Sequence, residues 1–335
     1  MRAPDLAPAL PVPATYLLPI KRVGDAPSAE LTSYLRGIAA RCELVIVDGS
    51  DPVAFAFDRA AWGSFARHEA PAADVTGAYG KVRGVITGMR LASNERVVIA
   101  DDDVRYGPAE LDRAVAALDH HDLVSPQNHF EPLVWHAVWD SARSLLNRAL
   151  GHDFPGTLAV RRSTFLRLGG YDGDALFENL ELMRTVRAGG GSVHHALDLH
   201  VARRPPTTRH FLSQRVRQAY DEFARPASLT AALATAPAVA LLAKRRAWRS
   251  IALAAVASIA VAEVGRRRDG ARAAFPPASA LCAPLWVLER SVTSWVAVGC
   301  RLTGGVPYAG TRLRLTAHSE RALRRRLAAQ GVRPA

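Results

Sequence analysis

Three consecutive carboxylates, Asp101-Asp102-Asp103, close a short apolar run, Arg96-Val97-Val98-Ile99-Ala100. On an extended chain alternate side chains point the same way, so Asp101 and Asp103 can face one ligand while Asp102 points elsewhere. Two hard carboxylate oxygens on one side suit Mg2+ or Mn2+, which take one or two protein carboxylates plus substrate phosphates. An acidic turn of solvated charges would use the same residues, because Asp is a common turn former. Asp48 ends a second apolar run, Glu43-Leu44-Val45-Ile46-Val47, and is followed by Gly49-Ser50-Asp51-Pro52. Glu178 and Glu181 form an i,i+3 pair, on one face if residues 178–187 are helical. A carboxylate there can take a proton from a hydroxyl, or simply complement the helix dipole.

Strand ends make a site only where the chain gathers them along one edge. Tyr16-Leu17-Leu18 reads as a first strand, residues 28–40 as a helix capped by Ser28, and 43–47 as a buried strand. Residues 82–93 and 96–100 repeat the helix–strand unit. Continuous apolar runs suit strands covered on both faces of a parallel sheet. In such sheets ligands bind beyond the carboxyl ends of the strands, where both Asp clusters fall. The expected class is therefore α/β with a mostly parallel sheet.

The chain has 335 residues, 43 Lys+Arg against 31 Asp+Glu, and a formal charge of +12. The charge is uneven. Residues 1–200 hold 20 basic and 25 acidic side chains, and residues 201–335 hold 23 and 6. With 49% apolar residues, wholesale disorder is excluded. Cys42, Cys282 and Cys300 are too few for a disulfide scaffold and fit a reducing compartment. Residues 1–13, with four prolines, are expected as a loose tail. Ala227–Ala243 carries no charge and precedes Lys244-Arg245-Arg246; Ile251–Val264 and Phe275–Leu288 are further apolar stretches. They span roughly 25, 21 and 21 Å against a hydrocarbon core of ~30 Å. If the first crossed from a cytoplasmic domain, the KRRAWR loop would lie outside, against the positive-inside tendency. A hairpin in the interface, with basic loops at the headgroups, removes that conflict.

These motifs, in order, resemble the family 2 glycosyltransferases of the GT-A fold over roughly residues 14–225. Val47-Asp48-Gly49-Ser50 resembles the first Asp-containing turn, which implies that Asp48 reads the nucleotide base. Gly80-Lys81 followed by Gly88-Met89-Arg90-Leu91-Ala92 is similar to the stretch ahead of the DxD motif, which brings Lys81 to the nucleotide sugar. Asp101-Asp102-Asp103 stands at the DxD, implying Asp101 near the ribose or diphosphate and Asp103 on the metal. Gly156 to Arg162, then Gly169-Gly170-Tyr171-Asp172, is similar to the acceptor-side segment, with Asp153 just before it able to bond sugar hydroxyls or shape a turn. Phe177-Glu178-Asn179-Leu180-Glu181 resembles the segment bearing the catalytic base. Gln214-Arg215-Val216-Arg217-Gln218 resembles the Q-x-x-R-W motif, with Arg215 or Arg217 closing over the phosphates.

Two positions depart from the family. Asn179 stands where Asp is usual and cannot accept a proton, which leaves the identity of the base open between Glu178, the first choice because it is nearer the helix N-terminus, and another carboxylate such as Glu181. Gln218 replaces the Trp of processive enzymes, which argues against polymerisation. The boundaries implied are a tail (1–13), a GT-A domain (14–225), hydrophobic membrane-associated helices (226–303) and a basic tail (304–335). The resemblance implies inverting, metal-dependent transfer from a nucleotide-diphosphate sugar to an acceptor hydroxyl; the basic, apolar C-terminal half makes a lipid or lipid-linked acceptor the expectation, with the catalytic domain on the cytoplasmic face of the cell membrane.

Three other readings differ in what they require. A sugar-phosphate nucleotidyltransferase needs a Gly-rich, Arg-bearing loop after the first strand, and Ile20-Lys21-Arg22-Val23-Gly24-Asp25 matches it poorly. A nucleic-acid binder would interleave exposed aromatics with its arginines, whereas here the arginines flank apolar runs. A relative that has lost catalysis through Asn179 would bind a nucleotide sugar without turnover. His194, His195 and His200 lie in an apparent strand whose alternation puts His194 and His200 on one side. Trp135 and Trp139, at i,i+4, could line a groove or pack in the core.

Overall fold

The computed structural model describes residues 11–77, 79–308 and 311–332. Most of the expected N-terminal tail lies outside them. Strand and helix alternate from the start: β1 (Thr15–Ile20), α1 (Ala29–Ala39), β2 (Glu43–Asp48), α2 (Pro52–Trp62), β3 (Arg67–Glu69), α3 (Gly80–Leu91) and β4 (Arg96–Ala100). Then come β5 (Val104–Arg105), α4 (Pro108–Ala117), β6 (Leu123–Phe130), α5 (Trp135–Leu150), β7 (Thr157–Arg161), α6 (Arg162–Arg167), α7 (Glu178–Ala188), β8 (Val193–Arg203) and α8 (Thr208–Tyr220). Side chains cap as their types dictate. Ser28 accepts from the Leu31 N–H at the start of α1, and Asp51 from Val53 and Ala54 at the start of α2.

The eight strands form one sheet in the order β3-β2-β1-β4-β7-β6-β8-β5. Ladders from β3 to β4 are parallel, as is β6 with β8, while β7 and β5 run antiparallel to their neighbours. This is the mostly parallel α/β sheet that the apolar runs predict. Its central strands are covered on both faces, as their unbroken apolar runs require. Leu17 joins the core under α3, whereas Tyr16 and Leu18 join the core under α1 and α4. Gly88 lets α3 lie directly on β1, since a Cβ there would come within 2.1 Å of Leu17 Cδ1.

The alternation expected of β8 breaks at a bulge. Pro126 pairs with Ala196 but Gln127 with His200, so three residues of β8 are looped out. His194 and His200 therefore do not share a strand face by simple alternation. His194 stacks on His121 at 4.5 Å, and His195 on His152 at 3.5 Å. No cluster of three or more His, Cys, Asp or Glu fit to hold a metal occurs among the described residues.

Beyond α8 the texture changes to α9 (Pro226–Lys244), α10 (Trp248–Arg267), α11 (Pro277–Leu281) and α12 (Ala283–Leu302). By length and composition, Pro226–Lys244 and the stretch from Trp248 are long and apolar enough to cross a membrane. At about 28 and 30 Å, α9 and α10 outrun the charge-free stretches within them. The third apolar stretch is not one helix. It breaks at Cys282, and α12 has an inner face in which Trp286, Arg290, Ser291 and Ser294 are buried. Pro237 sits inside α9, where its missing N–H would orphan the Leu233 carbonyl. α12 supplies the replacements: Trp295 Nε1 donates to Leu233 O at 3.1 Å, and Ser291 Oγ accepts from the Ala236 N–H at 2.8 Å.

The residues expected as a basic tail form a hairpin, β9 (Val306–Tyr308) with β10 (Thr311–Leu313), and then α13 (Glu320–Ala329). Ala309 and Gly310, between the two strands, lie outside the described residues. Leu323 and Leu327 of α13 are buried in the same core as Leu182 and Met183 of α7. Its arginines stay outside, and Arg326 Nη1 reaches Asp172 at 2.9 Å.

Candidate active site

Two cavities lie along the carboxyl edge of the sheet. One, of about 370 Å3, runs past the ends of β1 and β2 and the start of α3, and is walled by Lys21, Gly49, Pro71 and Tyr79. The other, of about 280 Å3, runs beneath α8 and α12. Asp101, Glu178 and Arg217 line both, so the two spaces meet at those side chains.

Asp101 and Asp103 follow β4, and both open on the second cavity. Asp102 is exposed and lines neither cavity; the expected strand alternation gives way to a turn over residues 102–103, closed by the Val104 N–H on Asp101 O at 3.1 Å. The geometry comes from three strands at once. The Asp101 N–H donates to Gly156 O at 3.0 Å, and β5 pairs with the end of β8, which brings Arg203 alongside. Arg203 Nε donates to Asp103 Oδ2 at 2.7 Å, and its Nη2 lies 3.7 Å from Asp101 Oδ2. Gly156 is required for this approach: a Cβ would stand 2.8 Å from Asp101 Oδ2 and 3.2 Å from Arg203 Cζ. Asp103 Oδ1 is buried with no hydrogen-bond partner among the described residues. Burial pushes the Asp103 carboxyl upward, with Arg203 pulling against it and Asp101 adding to it.

Lys81, at the start of α3, bridges the site. Its Nζ lies 2.6 Å from Asp101 Oδ1 and 2.7 Å from Glu178 Oε1. Burial alone would depress its ammonium, but the Asp101 and Glu178 carboxylates hold it well above the usual lysine range. Glu178 opens α7, where a carboxylate is favoured by the helix dipole. Asn179 also lines the cavity, and its Nδ2 donates to Pro155 O at 2.7 Å. A helical face completes the wall. His210, Gln214, Arg217, Gln218, Asp221 and Arg225 recur at helical spacing along α8 and the turn after it.

Four residues expected at the site are turned to other partners. Asp48 is 1% exposed; its oxygens accept from the Ser50 N–H at 2.9 Å and lie 3.0 Å from His68 Nε2. Only its neighbours Val47 and Gly49 border the first cavity. Glu181 is fully buried, with both oxygens taken by His318, through its N–H at 2.7 Å and Nδ1 at 2.8 Å. It lies one turn further along the helix than Glu178 and ties α7 to the C-terminal segment. Arg215, one residue past Gln214 and thus on another helix face, is buried between Asp140 at 2.7 Å and Glu289 at 2.5 Å. Asp153 is buried under Arg143 and Asn147, each at 2.9 Å, and borders a small adjoining space. Trp139 packs on Phe211 at 5.7 Å, and neither it nor Trp135 lines the two cavities.

Arg203, Asp221 and Arg290 are site residues the motifs did not reveal. Asp221 had a signal, since it continues the i,i+3,i+4,i+7 face from Gln214. Arg203 and Arg290 had none, because one depends on a β5–β8 pairing and the other on how α12 docks.

No family model matches the chain, and no curated protein matches it. Among solved structures it is similar to the mannosyltransferase PcManGT from Pyrobaculum calidifontis, in complex with GDP-Man and Mn2+. That likeness covers 87% of this chain and 90% of that one, at 19% identity and a TM-score of 0.48. It is also similar to glucosyl-3-phosphoglycerate synthase from Mycobacterium tuberculosis, in complex with Mn2+, UDP-Glc and phosphoglyceric acid. There the identity is 18%, the coverage 59% of this chain and 73% of that one, and the TM-score 0.43.

Proposed function

We propose that this chain is a membrane-associated glycosyltransferase of the family 2 type. It transfers a sugar from a nucleotide-diphosphate sugar to a lipid or lipid-linked acceptor, with inversion. The observation that carries the reading is the placement of Asp101 and Asp103 side by side where two cavities of substrate size meet. The first cavity, at the ends of β1 and β2, suits the nucleoside, and the second suits the acceptor.

The residues fit a divalent cation. Asp103 offers a buried oxygen without a hydrogen-bond partner, and Asp101 opens on the same space. Mg2+ or Mn2+ held by these carboxylates would neutralise the charge that develops on the diphosphate as the glycosidic bond breaks. Lys81 and Arg203 fix both carboxylates, so little reorganisation is needed when substrate arrives. Arg217, facing both cavities, adds positive charge where the phosphates would lie. Gln214 is positioned beside it on the same helix face.

The membrane reading rests on the surface of α9 and α10. Leu241, Trp248, Leu253, Val256 and Val264 are exposed on them, and large exposed apolar side chains gathered on neighbouring helices suit a membrane contact. Lys244, Arg245, Arg246 and Arg249 cluster where the two helices join, and Arg225, which lines the acceptor cavity, immediately precedes α9. A cytoplasmic catalytic domain on the cell membrane follows as part of the proposal. At about 1 kcal/mol per basic residue near an anionic surface, Arg245→Glu/Arg246→Glu/Arg249→Glu should weaken flotation with anionic vesicles by roughly a hundredfold at low salt. Equal flotation of both proteins would count against the basic cluster as a headgroup contact.

The direct test is a donor screen on detergent-purified chain, with lipid extracts as acceptor and with or without Mn2+. Release of nucleoside diphosphate and a new glycolipid mass, both requiring the cation, are the expected result. No turnover with any nucleotide sugar would overturn the reading.

A further inference from the structure

We propose that Asp221 takes the proton from the attacking acceptor hydroxyl, a role that Asn179 cannot perform and that Glu178 is poorly free to perform. The inference rests on the sugar-transfer reading and deepens it.

The other carboxylates that line the acceptor cavity are engaged. Glu178 is held by Lys81 at 2.7 Å, and removing it from that ammonium to receive a proton would leave a buried cation half-paired. Asp101 and Asp103 are held by Lys81 and Arg203. Asp140 accepts from Arg215 at 2.7 Å, and Glu222 pairs with Arg225 at 3.7 Å. Asp221 differs. Its Oδ1, like Asp103 Oδ1 and Glu222 Oε2, is buried with no hydrogen-bond partner among the described residues, but Asp221 is neither held by Lys81 and Arg203 nor paired with Arg225, and its side chain lines the cavity on the same helix face as Gln214 and Arg217. Such an oxygen is costly unless a ligand donates to it, and an acceptor hydroxyl in that cavity is a donor of the right kind.

The charges around it suit the task. Burial, the largest influence, pushes the Asp221 carboxyl up to about 7. Arg217 on α8 and Arg290 on α12 pull it down, while Glu178 on α7 and Glu222 beside it push it up. A base with its pKa near working pH is half ionised and still has appreciable affinity for the proton. The step balances as follows. The acceptor oxygen bonds to the anomeric carbon as its proton passes to Asp221 Oδ1. The bond from that carbon to the diphosphate oxygen breaks, and its electron pair leaves with the nucleoside diphosphate.

The test is the pH dependence of turnover in the full-length chain, with the donor and acceptor identified by the screen, for Asp221→Asn, Asp221→Glu and the unaltered protein. The unaltered protein should lose kcat/KM about tenfold per pH unit below about 7, because protonation removes the base. Asp221→Asn should lower kcat roughly 10²–10⁴-fold with donor KM within a few-fold, and should abolish that acid limb. Asp221→Glu should restore part of the rate and shift the limb. Circular dichroism and donor-binding calorimetry on each variant establish that the fold persists. If Asp221→Asn keeps its kcat, or keeps the acid limb at reduced rate, Asp221 is only a counter-charge and the assignment is overturned. Failure of the underlying reading looks different, since the unaltered protein would then turn over no donor at all.

Discussion

Asp103→Asn is expected to lower turnover roughly a thousandfold while leaving the fold intact. The amide keeps the shape and can still accept from Arg203 Nε, now 2.7 Å from Asp103 Oδ2. What it loses is the anionic charge around the unpartnered Oδ1 that would hold a divalent cation. Charge neutralisation at a leaving diphosphate is worth several kcal/mol, and about 4 kcal/mol corresponds to roughly 10³ in rate. Calorimetry should show donor affinity that rises with Mn2+ in the unaltered chain and no longer does in the variant. Asp102→Asn is the control, because Asp102 is exposed and lines neither cavity. Turnover within tenfold of normal in Asp103→Asn, with Mn2+-dependent binding retained, would remove the cation from the proposed chemistry. Equal losses in the two variants would point to a general effect of acidic charge at the sheet edge.

Arg148→Ala is expected to be the most destabilising single change outside the catalytic carboxylates. Arg148 is fully buried and binds three parts of the chain at once. Its Nη1 donates to Gln127 Oε1 at 3.0 Å and to Leu197 O, in the bulge of β8, at 2.8 Å. Its Nε reaches Gly265 O at 3.2 Å and its Nη2 reaches Arg268 O at 2.6 Å, so it also caps the carboxyl end of α10. Truncation would orphan two buried carbonyls, a part-buried one and a glutamine, and leave a large void. Each unsatisfied buried group costs about 1–3 kcal/mol, so a loss of about 4 kcal/mol is a moderate expectation. For a protein of this size that lowers the thermal midpoint by about 6 °C, readable by differential scanning fluorimetry in detergent. Limited proteolysis should then cut between α10 and α11 first, since the link from the sheet to the apolar hairpin is what the arginine supplies. A midpoint within 2 °C of normal would mean that α5 and α10 are held by apolar packing alone.

Much of the α/β half was legible because its signals are local. The unbroken apolar runs of β2 and β4 require burial on both faces, and both strands have it. Ser28 marked the start of α1 through its own hydroxyl, whereas the alternation expected at Asp101-Asp102-Asp103 gave way to a turn over residues 102–103. The C-terminal half was less legible. Apolar composition does not say where one helix stops, so Phe275–Leu288 reads as a unit although the chain breaks it at Cys282. Helical spacing carried more information than motif likeness at α8: Gln214, Arg217 and Asp221 share a face, whereas Arg215, one step around, is turned into the interior.

What the sequence determined by itself was therefore the sheet and the pair of carboxylates at its edge. The tertiary structure decided which side chains meet them. Arg203 reaches Asp103 only because β5 pairs with β8, and Lys81 joins Asp101 to Glu178 across nearly a hundred residues of chain. Asp48, Glu181 and Arg215 were drawn to His68, to His318, and to Asp140 with Glu289. A buried charge is stable only beside a partner, and which partner lies near is fixed by how distant segments pack.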